Sequence, residues 1–137
     1  MKFISHSETE TKKFAAELAQ NLKSNVIALT GQLGAGKTTF AAGFAKGLGI
    51  KDKIISPTFV LIRQHKIPNS KKIFYHIDLY RLEGKINIKE LGIDELMNSD
   101  NLVLIEWAEK IERDLPEKTI RINIEEIDET ERLVTIS

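Results

Sequence analysis

The chain has 137 residues, 42% hydrophobic and 29% charged, with 20 basic side chains against 20 acidic ones and no cysteine. That length suits one domain with a real core. A formal net charge of zero argues against gripping nucleic acid by bulk electrostatics, and the missing cysteines exclude disulfides and thiolate metal sites.

In chain order, Ser7 with Glu10 three residues later predicts a capping box. Phe14, Ala15, Leu18, Ala19 and Leu22 then recur at helical spacing and predict an amphipathic helix over about residues 8 to 23. VIALT at 26–30 is a continuous apolar run with β-branched members, suited to a strand covered on both faces. The stretch GQLGAGKTTF follows at 31–40, and Phe40, Ala41, Phe44, Ala45 and Leu48 predict a second helix, stopped at Gly47 or Gly49.

Pro57 opens the strand TFVLIRQHKI, IPNSKK supplies turn residues, and IFYHIDLY reads as a second strand, so an antiparallel hairpin is expected over about 57–80. Ile88, Leu91, Ile93, Leu96 and Met97 predict a short, irregular helix within 86–97. LVLIE at 102–106 is a second fully apolar strand, ending in an acid, and a short helix is expected near 107–113. TIRINIEEI and RLVTIS close the chain as a hairpin over about 118–136. There is no internal repeat, linker or low-complexity segment. The expected fold is α/β: one domain over residues 1–137, with a mixed, mostly parallel central sheet flanked by helices. No stretch approaches the ~20 apolar residues of a membrane span. The first ten residues lack the apolar run of a secretory signal, so a cytoplasmic location is expected.

The glycine-rich stretch carries the chemistry. Gly31, four residues, then Gly36-Lys37-Thr38 match the phosphate-binding pattern GxxxxGK[ST], and the flanking buried strand and helix are the context that pattern requires. Several backbone N–H groups must converge on one anion, in conformations that side chains with a Cβ resist. The following helix adds its positive end. Lys37 reaches the β- and γ-phosphates in such loops, and the Thr38 hydroxyl ligates Mg²⁺. Neither an NKxD nor a DxxG string of guanine-specific enzymes occurs, so ATP is the expected nucleotide and Mg²⁺ its ion.

A phosphate cradle needs a carboxylate, usually at the end of a neighbouring buried strand, and Glu106 at the end of LVLIE is so placed. In 73–81, His76, Asp78 and Tyr80 share one strand face. Two readings compete there: a solvent-facing edge strand, or a buried set with partners, in which His76 orients Asp78 or packs structurally. SPTF at 56–59 is open in the same way. Thr58 either offers its hydroxyl to the metal or γ-phosphate, or only begins a strand.

Taken together, GQLGAGKTTF, SPTF, YHIDLYR, LGIDEL and LIEWAEK resemble, over nearly the whole chain, the TsaE (YjeE) family, the phosphate-loop ATPases of bacterial tRNA threonylcarbamoyladenosine synthesis. The resemblance implies that Gly34, Ala35, Gly36, Lys37, Thr38 and Thr39 wrap the phosphates, that Thr38 and Glu106 contact Mg²⁺, that Thr58 is a nucleotide-sensing switch, and that Asp78 is needed for hydrolysis. It also implies work with TsaB and TsaD, which carry the transfer to tRNA, so that tRNA is engaged only indirectly. Trp107 is a family feature, read either as a nucleotide or partner contact or as a core tryptophan, and Arg132 is a candidate nucleotide contact. One departure is Gln32, where such families usually place Asp. The expected activity is a weak Mg²⁺-dependent ATPase, since no arginine finger follows the loop. A small-molecule kinase and a nucleotide-dependent binding module without required hydrolysis stand as alternatives.

Overall fold

The computed structural model describes residues 1–32, 34–54 and 61–137. In chain order its elements are β1 (Lys2–Ser5), α1 (Glu8–Ala19), β2 (Val26–Thr30), α2 (Lys37–Gly47), β3 (Ile62–Lys66), β4 (Ile73–Asp78), α3 (Ile93–Met97), β5 (Leu102–Glu106), a 3-10 segment (Ala108–Asp114), β6 (Ile120–Glu126) and β7 (Arg132–Ile136). The strands form one sheet in the order β1-β7-β6-β2-β5-β4-β3. Its centre is parallel, β2 pairing with both β5 and β6, and β4 with β5. Its margins are antiparallel, through β3–β4, β6–β7 and β1–β7. The mixed sheet and both hairpins agree with the sequence reading; the expected beginning of the first hairpin, at Pro57, lies outside the described residues.

Burial on two faces explains the apolar runs. On one face α1 and α2 cover Ile27, Leu29, Phe74, Leu104, Ile122 and Ile124. On the other, α3 and the 3-10 segment cover Val26, Ala28, Ile77, Val103 and Ile105. Phe40, Phe44 and Phe74 are fully buried, and truncating any one to alanine should cost about 3–5 kcal/mol.

Local rules set the helix ends. The Ser7 Oγ accepts the Glu10 N–H at 3.1 Å, while the Glu10 carboxylate accepts from the N–H of His6 rather than of Ser7. Helix α1 stops at Ala19, short of the expected residue 23. There the Asn21 N–H turns back to the Leu18 carbonyl, and the Asn21 amide takes the Glu17 carbonyl at 3.1 Å. Past α2 it is Gly49, with φ of 87°, that supplies the left-handed residue. Gly47 serves another purpose. Together with Gly43 it lies against α1, where a Cβ on Gly43 would come within 2.8 Å of the Lys12 carbonyl carbon and one on Gly47 within 2.8 Å of that of Ala16. The two helix backbones therefore touch.

Strand β1 was not expected from the sequence. It is a four-residue edge whose partner β7 lies at the far end of the chain, so no local pattern announces it. At the opposite end of the sheet from the glycine loop, the Asn25 amide is shared among the carbonyls of Ser99, Asn101 and Met97 at 2.8, 2.9 and 3.3 Å. The Asn101 Oδ1 in turn accepts the Ile73 N–H at 2.9 Å. Among the described residues no helix is long and apolar enough to cross a membrane.

Candidate active site

The loop joins the carboxyl end of β2 to the amino end of α2, with Gly36 at the cap in a left-handed conformation, φ 105°. By helix geometry the N–H groups of Lys37, Thr38 and Thr39 have no acceptor within α2, which makes them available to an anion. Gly31 has a different reason to be glycine. Its φ is 144°, and a Cβ there would collide with the Ile124 carbonyl oxygen of β6. It and Gln32 offer their carbonyls to the Lys37 ammonium, the Gln32 bond being 2.8 Å long.

Lys37 is only 5% exposed, and its ammonium lies 4.1 Å from the centroid of the Trp107 ring. Burial pushes the Lys37 ammonium below its usual range, while the nearby carboxylates of Glu106, Glu109 and Asp78 pull it partway back. A charged lysine is thus held in place by loop carbonyls, an aromatic face and surrounding acids.

Strands β4 and β5 bring the acids together. Asp78 stands beside Glu106 in the parallel register, and both are buried. The Thr38 Oγ1 lies 3.5 Å from Glu106 Oε1. The Asp78 Oδ1 accepts the N–H of Tyr80 at 2.9 Å. His76 points the same way and is fully buried, which decides for the partnered reading of this strand. Its partner differs from the expected one: the His76 Nε2 bonds Glu106 Oε2 at 2.5 Å, not Asp78. The residue opposite His76 is Leu104, so the ring reaches diagonally along β5 to the acid.

These groups border a cleft of about 730 Å³, lined by Gly34, Gly36, Lys37, Thr38, Thr39, Asp78, Glu106, Trp107 and Arg132 among others. Nearly all the expected site residues thus converge. Gly31 and Ala35 do not line this cleft. Gly31 borders a second cavity of about 650 Å³ with Gln32, Glu109 and Glu125, and Ala35 is buried beneath the loop. Thr58 lies outside the described residues. Trp107 is half-buried and turned toward the cleft, in a left-handed conformation (φ 61°) unusual for a bulky side chain. The Tyr80 ring tilts against it at 5.2 Å. Arg132 braces the loop, its Nε donating to the Ala35 carbonyl at 3.0 Å.

Sequence reasoning missed the wall formed by His6, Ser7 and Thr11 of the α1 end and by Glu129 and Thr130 of the β6–β7 turn. The only signal at Ser7 was helix capping, and nothing local ties residue 7 to residue 130. Among the described residues no group of three or more His, Cys, Asp or Glu could hold a metal unaided. The donors present, one hydroxyl and two carboxylates, are hard oxygens of the kind Mg²⁺ takes when phosphate and water complete its shell.

A family model described as threonylcarbamoyl adenosine biosynthesis protein TsaE matches residues 5–134. The tRNA threonylcarbamoyladenosine biosynthesis protein TsaE of Rickettsia felis is 47% identical over 135 residues, 97% of this chain and 77% of the relative. That of Bacillus subtilis is 38% identical over 138 residues, covering 100% of this chain and 85% of its own. The crystal structure of Bacillus subtilis YdiB matches with a TM-score of 0.81 at 34% identity, over 99% of this chain and 83% of that one. The chain belongs to the TsaE family of threonylcarbamoyl adenosine biosynthesis proteins.

Proposed function

We propose that this chain is the subunit that binds and slowly hydrolyses Mg²⁺-ATP in threonylcarbamoyladenosine modification of tRNAs reading codons that start with A, in company with TsaD and TsaB. The observation that carries the reading is the convergence, in one cleft, of the Lys37-Thr38 helix end with the adjacent carboxylates Asp78 and Glu106. The N–H groups of α2 and the Lys37 ammonium hold the phosphates, and Thr38 with Glu106 holds Mg²⁺. When bound, the ion offsets charge on the phosphate oxygens. Asp78 orients the attacking water and accepts its proton. Arg132 keeps the loop in shape through Ala35 rather than by gripping the nucleotide. Trp107 caps the Lys37 side of the cleft and excludes water from that ammonium. The cytoplasm is the compartment where such a protein meets tRNA.

The test is reconstitution with TsaD, TsaB and unmodified tRNA, measuring modified adenosine and released phosphate together. Modification over many turnovers should require this chain and ATP, and Lys37→Ala should abolish it. The reading fails if the purified chain binds no adenine nucleotide in calorimetry. If Glu106→Gln binds ATP without hydrolysing it and modification proceeds undiminished, hydrolysis is dispensable and the protein is a nucleotide-dependent binding module.

A further inference from the structure

We propose that His76 is the positioning residue for the magnesium carboxylate of Glu106, an assignment that rests on the Mg²⁺-ATP reading above. The two Glu106 oxygens face different groups: Oε1 lies 3.5 Å from Thr38 Oγ1, and Oε2 meets the His76 ring nitrogen. An ionised carboxylate can only accept, so the His76 Nε2 carries the proton and donates it to that bond. The other ring nitrogen, Nδ1, is buried with no hydrogen-bond partner among the described residues. A bare lone pair is the less costly occupant of such a position, since a buried N–H without an acceptor forfeits its full hydration. The ring is therefore fixed in one tautomer with one donor, aimed at one oxygen. The Phe74 ring lies nearly parallel to it, with centroids 6.3 Å apart.

A purely structural role explains this poorly. A buried ionic or polar pair adds little stability over apolar side chains of the same volume, and the same sheet face carries the apolar Phe74, Leu102 and Leu104. What the histidine supplies is direction. With Oε2 engaged from behind, Oε1 is left to point at Thr38, the arrangement in which an outer partner orients a metal-binding carboxylate.

Two measurements test this. In the long-range nitrogen–proton NMR spectrum of the nucleotide-free protein, the His76 ring should be the Nε2–H tautomer. Calorimetric titration of ATP at graded magnesium should then show His76→Leu needing about tenfold more Mg²⁺ for half-maximal binding, with magnesium-free ATP affinity unchanged. His76→Gln, whose amide reaches the Nε2 position, should restore most of the difference. If the leucine variant does not fold, His76→Asn replaces it, because its amide ends at the Nδ1 position, short of Glu106. An Nδ1–H ring, or a folded variant without the donor that keeps the wild-type magnesium requirement, overturns the assignment alone. A wild-type protein that binds no ATP overturns both this and the reading it rests on.

Discussion

Gly43→Ala should destabilise the protein, although helix propensity alone says the opposite. In a helix interior, glycine to alanine gains up to about 1 kcal/mol. Here the new Cβ would stand under 3 Å from the Cα, carbonyl carbon and carbonyl oxygen of Lys12, where carbon atoms settle at about 3.5–4 Å. Those atoms are backbone of α1 and cannot swing aside, so the helices must part by about 1 Å. Overpacking of this kind costs about 1–3 kcal/mol and sometimes more. Against the propensity gain, a net loss of about 1 kcal/mol remains at mid-range and about 2 kcal/mol at the upper end, or roughly 3–6 °C in Tm for a domain of this size. The same shift moves the amino end of α2, where Thr38 sits 3.5 Å from Glu106. Displacements near 1 Å can cost about 100-fold in turnover. Thermal melts and Mg²⁺-dependent phosphate release read the two effects. Gly47→Ala on top of Gly43→Ala should add less than it costs alone, because the helices are already apart. A higher Tm with unchanged hydrolysis would refute the close-contact argument.

Further outcomes follow from the site. Burial holds the folded Lys37 ammonium below the usual lysine range, so between its folded and unfolded pKa the unfolded chain binds more protons and stability rises with pH. The stability of wild type relative to Lys37→Met should therefore climb as the pH is raised toward the usual lysine pKa of about 10.4, in denaturant titrations of the nucleotide-free proteins; a flat difference contradicts the burial of that charge. Asp78→Asn should lower hydrolysis by about 10²–10⁴-fold while calorimetric ATP affinity stays within a few-fold, and unimpaired hydrolysis would remove Asp78 from the chemistry. Arg132→Ala deletes the donor to the Ala35 carbonyl and should cost about 1.5 kcal/mol in urea unfolding, together with weaker ATP binding. Equal midpoints and affinities would mean that Arg132 does not brace the loop.

Much of this architecture could be read from the residues because its determinants are local. VIALT and LVLIE announce doubly covered strands by being apolar throughout, and both are buried in the centre of the sheet. The loop is legible because its glycines, Lys37 and Thr38 lie within one short stretch between them. What escaped was set by tertiary neighbours. The hydrogen bond from His76 to Glu106 spans 30 residues and exists only because β4 and β5 are adjacent, whereas spacing alone suggested Asp78, two residues away. Gly31 looked like part of the phosphate cradle, yet its strictest constraint comes from the Ile124 carbonyl across the sheet. Gly47 looked like a helix stop, yet its lack of a side chain is required by Ala16 on the neighbouring helix.

The amide knot around Asn25 has a mechanical consequence. It ties the approach to β2 to the approach to β5, and through Asn101 to the start of β4, all at the pole remote from Lys37, Asp78 and Glu106. Between that root and the opposite pole the same strands are laced edge to edge, β4 to β5 and β5 to β2. Asp78 and Glu106 therefore stand side by side at the ends of strands whose spacing is set along their whole length. The glycine loop continues from β2, the third strand of the set, so the ladder that aligns the two acids also delivers the loop beside them.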